Sequence, residues 1–260
     1  MPAADILSLT PPAADARLRY GTDANHFGDL RVPRAGPPKG RALHPVVMNI
    51  HGGYWRNRYS LEHAGHLCAA LTAMGIATWN LEYRRVGDAG GGWPGTFEDI
   101  TNGYRYLNQI ASHYQLDVSR TAVMGHSAGG QLALCLAGHH KSIKGVVSLA
   151  GVVDLDRAYA LHLSNDAVVE FLGGTPKQVP EHYHEADPMR LSVSAQQWLI
   201  HGAADDIVPP EFSQQYVEKK KSQGEEVHLL AIPKADHFDL IDPRSEAWKQ
   251  VEATVVSLLR

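Results

Sequence analysis

The feature that most constrains this chain is a hydrophobic period that switches, again and again, between that of a buried strand and that of a helix. Short apolar runs rich in β-branched residues occur at residues 45–50, 76–83, 121–125, 145–149, 197–200 and 227–232. Runs of this length with little polar alternation suit strands covered on both faces. Between them lie longer segments with apolar residues at helical spacing: 61–74, closed by Gly75, then 97–114, 128–137, 211–221 and a final 246–259. Alternating strands and crossover helices pack economically in one way, as a mainly parallel twisted sheet with helices on both faces. The expected fold class is therefore α/β.

Two stretches depart from this rhythm. Residues 1–44 are rich in breakers, with Pro11-Pro12, Pro33 and Pro37-Pro38 around two candidate edge strands at 17–20 and 29–32, and read as an N-terminal arm. Residues 151–191 loosen into short helical pieces, expected to form a small cap-like insertion over the active-site end of the sheet. At roughly 40 residues that insertion is too short to be a domain of its own, so residues 1–260 are expected to form a single domain.

Composition excludes several function classes. Twenty-four Lys and Arg against 28 Asp and Glu give a net charge of −4, with no block of like charges. The longest basic run, Lys219-Lys220-Lys221, reads as a solvated helix face, so neither nucleic acid nor an anionic membrane is an expected partner. The start, Met1-Pro2-Ala3-Ala4-Asp5, has no basic region leading into an apolar core, and nowhere do 18 apolar residues run together; the expected location is cytoplasmic. Cys68 and Cys135 sit singly in apolar helical segments, as buried thiols of a reducing compartment do. Among 15 histidines, the pairs His182/His184 and His139/His140 lack further ligands at metal-site spacing, and neither a metal nor another cofactor is expected.

The chemistry concentrates in three loops that follow strands. Gly125-His126-Ser127-Ala128-Gly129 fits G-x-S-x-G and lies between a strand and a helix, where a strained turn lifts a serine hydroxyl clear of the sheet. Glycines flank it because a Cβ there would strike neighbouring backbone. The helix beyond aims its N-terminal amides and positive dipole end at a developing oxyanion. His51-Gly52-Gly53-Tyr54-Trp55 follows an earlier strand, and its glycines can turn N–H groups into the same cavity. The amides of Gly52, Gly53 and Ala128 are the expected oxyanion donors, with His51 pinning the loop. A serine needs a base, and the base needs an acid to orient it. Asp205 and Asp206 compete for the acid role, Asp205 being favoured by its place in His201-Gly202-Ala203-Ala204-Asp205-Asp206-Ile207-Val208-Pro209. Among the histidines, His237 alone combines a late position, the loop after the strand at 227–232 and a final helix beyond.

Together these motifs resemble the α/β-hydrolase superfamily from about residue 43 onward. Within it, His51-Gly52-Gly53-Tyr54-Trp55 with Gly125-His126-Ser127-Ala128-Gly129-Gly130 is similar to the kynurenine formamidase and small carboxylesterase branch. Relatives nearer hormone-sensitive lipase usually carry a third glycine where this chain has Tyr54. The resemblance implies a serine hydrolase acting on small carboxylic esters or aryl formamides through an acyl-enzyme. Tyr54, Trp55, His126, Trp93 and Phe238 flank the loops and are expected around the substrate pocket. Alternatives in view are a non-catalytic binding protein of the same fold, and a peptidase or thioesterase with the same triad. The last helix, with Trp248 and Val251 on one side, could cover the sheet or a second copy of the chain, so a homodimer stays open.

Overall fold

The computed structural model describes residues 3–36 and 42–259; Met1, Pro2, Arg260 and the expected break at Pro37-Pro38 lie outside the described residues. Eight strands form one sheet in the order β1-β2-β4-β3-β5-β6-β7-β8, with β1 Ala16–Arg19, β2 Phe27–Arg31, β3 His44–Ile50, β4 Ala77–Leu81, β5 Leu116–His126, β6 Gly145–Leu149, β7 Gln196–Gly202 and β8 Val227–Ile232. β1 and β2 are antiparallel additions at one edge, and β3 through β8 run parallel.

Alternate residues of each central strand bury on opposite faces, as the pleat requires. Val46, Met48, Ile50, Val123, Val146 and Leu199 join one core, whereas Val47, Ala122, Met124, Val147 and Ile200 join the other. Helices α2 (Gly95–Ile110), α3 (Ala128–His139) and α7 (Glu211–Ser222) cover the first face through Leu107, Leu132 and Phe212. Helices α1 (Gly65–Ala73) and α8 (Trp248–Leu258) cover the second through Leu67, Leu71, Val251 and Val255. Trp248 and Val251 are thus buried against the sheet of their own chain, Trp248 only 3% exposed.

The insertion after β6 holds α4 (Leu155–Ala160), α5 (Ala167–Leu172) and α6 (Pro180–Ala186), whose Leu155, Phe171 and Tyr183 enter the first core. No helix among the described residues is long and apolar enough to cross a membrane.

The connections locate the functional edge. From β3 the chain moves outward to β4 by way of α1 on one face; from β4 it returns past β3 to β5 by way of α2 on the other. Right-handed crossovers in opposite directions leave a crevice beyond the carboxyl ends of β3 and β5, where open α/β sheets bind ligands.

Candidate active site

Ser127 stands between the end of β5 and the start of α3 at φ 57°, ψ −122°, a left-handed conformation that costs free energy and persists only where packing enforces it. The packing is visible at the flanking glycines. A Cβ on Gly125 would lie 2.0 Å from the Gly129 carbonyl oxygen, and one on Gly129 would lie 2.1 Å from that of Ile50. The strand end, the turn and the first turn of α3 are therefore in backbone contact with one another and with β3. Ala128 opens α3, where an N–H has no acceptor within the helix.

The loop after β3 is held just as closely. Gly52 has room for hydrogen only: a Cβ there would be 3.0 Å from that of Ser127 and 2.8 Å from the His126 carbonyl oxygen. Gly53 has φ +114°, and its missing side chain makes way for the Tyr59 ring. His51, fully buried, is held through Nδ1 on the Gly52 carbonyl (2.8 Å) and through Nε2 on Glu82 (3.0 Å). Because the C=O and N–H of a trans peptide point in opposite directions, fixing the Gly52 carbonyl on His51 turns the Gly53 N–H the other way. The Tyr83 hydroxyl donates to the His51 carbonyl at 2.7 Å, and its ring stacks on the imidazole. The Glu82 carboxylate also takes Arg85 at 3.0 Å and the Leu61 amide at 3.0 Å. Burial opposes its charge, but His51, Arg85 and the Leu61 amide prevail and hold its carboxyl below the ordinary range.

Asp205 and His237 meet from the loops after β7 and β8. His237 Nδ1 donates to Asp205 Oδ2 at 2.7 Å, while Asp205 Oδ1 accepts the amides of Ile207 and Val208 at 2.9 Å each. His201 Nε2 approaches the same Oδ2 at 3.2 Å and bonds the Val208 carbonyl. Burial raises the Asp205 carboxyl, but bonds from His201 and His237 outweigh it, and the group is held well below the usual carboxylate range. Asp206, next in sequence, is exposed.

Ser127 and His237 share a cavity of about 90 Å³ with Gly53, Tyr54, Tyr59, His63, Ile207 and Phe238. The Tyr54 hydroxyl donates to the Ile207 carbonyl at 3.1 Å, closing one side. Of the five aromatic residues expected around the pocket, Tyr54 and Phe238 line it; the other three correct the expectation. Trp55 is 1% exposed and faces away from the cavity, because its indole N–H finds Gln131 at 2.9 Å and its ring stacks on Phe171 at 4.7 Å. Trp93 packs on Phe97 and Phe171, drawn there by the bond from its amide to the Phe171 carbonyl. His126 is fully buried behind the base, donating from Nε2 to the His237 carbonyl and accepting at Nδ1 from His63, both at 2.9 Å. Burial and the neighbouring His237 and His63 hold His126 well below its ordinary value; burial, with His51 and His237, pushes His63 down to about 3.

Tyr59, His63, Ile207 and the supporting Glu82 and Tyr83 carried no signal in the sequence. Ile207 fills an unspecified position of the motif around Asp205 and the other four belong to no motif, while Tyr59 reaches the cavity only because Gly53 has no side chain. Cys68 and Cys135 are free and buried, and burial pushes the Cys68 thiol up to about 12.

Known proteins carry similar sequences and folds. Kynurenine formamidase from Salmo salar is 26% identical over 213 residues, 76% of this chain and 67% of that protein. The uncharacterized peptidase YuxL of Bacillus subtilis (strain 168) is 22% identical over 242 residues, 85% of this chain but 35% of that protein, so the chain spans about a third of its length. Among solved structures, a truncated carbohydrate esterase from gut microbiota matches with a TM-score of 0.80 at 19% identity, over 96% of this chain and 97% of that one. The propionate-bound esterase Est2 of Thermogutta terrifontis matches at 0.75 and 20% identity, over 95% of this chain and 94% of that one. The architecture is the α/β-hydrolase fold, and, with residues 35–220 matching the BD-FAE family, the chain belongs to that family.

Proposed function

We propose that the chain is a serine hydrolase that cleaves small carboxylic esters or aryl formamides through an acyl-enzyme. Ser127 Oγ attacks the acyl carbon while His237 takes its proton at Nε2, the ring nitrogen opposite the one held by Asp205. The Gly53 and Ala128 amides, with Gly52 beside them, carry the oxyanion of the tetrahedral intermediate. His237 then hands the proton to the leaving group, and water repeats the cycle on the acyl-enzyme. The observation that carries this reading is the 2.7 Å bond between His237 Nδ1 and a buried Asp205, with Ser127 in the same cavity. Similarity to a kynurenine formamidase and to esterases supports the reaction class. The cavity supports a small acyl group: its volume of about 90 Å³ is below the roughly 150 Å³ of an engineered cavity that admits benzene, and suits formyl, acetyl or propionyl.

Steady-state turnover of N-formylkynurenine beside p-nitrophenyl acetate tests the proposal, with Ser127→Ala as the blank and a fluorophosphonate probe reporting Ser127. Labelling of Ser127 and a loss of kcat by about a thousandfold or more in the variant are expected. A preference of orders of magnitude for the formamide identifies an arylformamidase; cleavage of the ester alone leaves an esterase. An unlabelled Ser127, or full activity in Ser127→Ala, removes the reading.

A further inference from the structure

The cavity at Ser127 measures about 90 Å³, room for a short acyl group, so the rest of a larger substrate lies outside it. A second cleft, of about 420 Å³, adjoins it: Tyr59 and His63 line both. Its other wall is the N-terminal arm, with Thr10 and Pro11, and its floor carries Arg58 and Glu62. The arm is firmly seated, since Ile6 is buried in the second core and Pro11 packs on Gly65 at the start of α1.

Chemistry decides which half of the substrate enters this cleft. The leaving group takes its proton from His237, so it departs on the side of the base. The cleft is on that side: the His63 ring lies 5.1 Å from His126 and 6.3 Å from Phe238, and His126 lies 4.5 Å from His237. The Tyr54–Ile207 bond closes another side of the cavity. Within the cleft, Arg58 is exposed, reaches the face of Tyr59 at 6.0 Å, and has no carboxylate within ion-pair distance among the described residues. Glu62 lines the neighbouring cleft as well, with Arg17, whose guanidinium pairs with Asp29 at 2.7 Å. Tyr59, 39% exposed, offers a ring face to a planar group.

We propose that this cleft is the leaving-group subsite of the active site, and that Arg58 makes it select leaving groups carrying a carboxylate or a similar anionic group. The inference rests on the hydrolase reading above. Its test is the ratio of kcat/KM for 4-acetoxybenzoate over the neutral, nearly isosteric 4-acetoxybenzamide, which share the acetyl group and differ in charge at the far end of the leaving group. Arg58→Glu is expected to lower that ratio about fivefold, the size of one partly solvated charge pair, and Glu62→Gln to raise it. Thr10→Trp, a surface change that fills the cleft, is expected to lower the ratio of 4-acetoxybenzoate over methyl acetate. Wild-type turnover with ratios unmoved by these variants overturns the subsite and leaves the hydrolase standing. Equal loss on every substrate overturns it too, because the effect would not be on the leaving group. No turnover of any ester by the wild type removes the hydrolase reading first.

Discussion

Asp205 and Asp206 are chemically identical neighbours, and only their surroundings separate them. Asp205 is 7% exposed and accepts His237 and two backbone amides; Asp206 points to solvent. Asp205→Asn keeps an oxygen for the Ile207 and Val208 amides, so the loop should survive. What it presents to His237 Nδ1 and His201 Nε2 is an NH₂ group, facing two donors. The imidazole then favours the wrong tautomer, with no lone pair for the Ser127 proton. The expected outcome is a kcat lowered by about a thousandfold or more for Asp205→Asn and by a few-fold at most for Asp206→Asn, read in steady-state kinetics. At this scale the convergence of Ser127, His237 and the two glycines after β3 on one place was legible from motif and order. Trp55, Trp93 and His126 were misread because adjacency along the chain says nothing about side-chain direction: each found a hydrogen-bond or stacking partner behind the loop.

At the scale of elements, the turn from β5 into α3 works because two backbones touch. Gly125→Ala places a methyl 2.0 Å from the Gly129 carbonyl oxygen, and neither backbone can retreat, since Gly129 is itself against Ile50. The variant should lose about 1–3 kcal/mol of stability in urea unfolding and most of its activity, because relief must shift Ser127 relative to Gly52. The expected strands and helices recur within a few residues of their observed ends, since burial on both faces leaves a clear mark in composition. The differences have local causes. The segment expected as one helix over 61–74 begins with a 3-10 turn, Leu61–Ala64, capped by Ser60 and held by Glu82 on the Leu61 amide. β5 starts at Leu116 rather than 121, because its polar first half pairs with His44 and Pro45 beyond a bulge, where it is partly exposed and carries no apolar run.

Over the whole molecule, the insertion after β6 is tied to the main body by the Gln131 side-chain amide, which donates to the Ala186 carbonyl at 2.8 Å, next to a buried carboxyl. Asp187, 1% exposed at the end of α6, accepts the Met189 amide at 3.0 Å. Burial, reinforced by Asp154 and Asp156, pushes it up to about 7. A folded value above the unfolded one of about 3.9 means the protonated group stabilises the fold at low pH. That contribution is complete below about pH 4 and is lost as pH rises through about 7. Scanning calorimetry of the wild type and Asp187→Asn at pH 5 and pH 8 should show the wild type losing ground against the variant at the higher pH; a constant difference in Tm refutes this. The insertion also braces the loop after β3, Phe171 stacking on Trp55 and Glu170 pairing with Arg56 at 2.7 Å.

The amino-acid sequence by itself determined the parallel sheet, its two faces and the loops that bear Ser127, Asp205 and His237, because periodicity and glycine placement are local properties of the chain. Only the tertiary structure decided that Asp205 rather than Asp206 meets His237, that Tyr59 and His63 wall the cavity, and that the N-terminal arm borders a cleft beside it. Those outcomes depend on which groups compete for the same partners once segments far apart in the chain are packed together, and no local pattern encodes that competition.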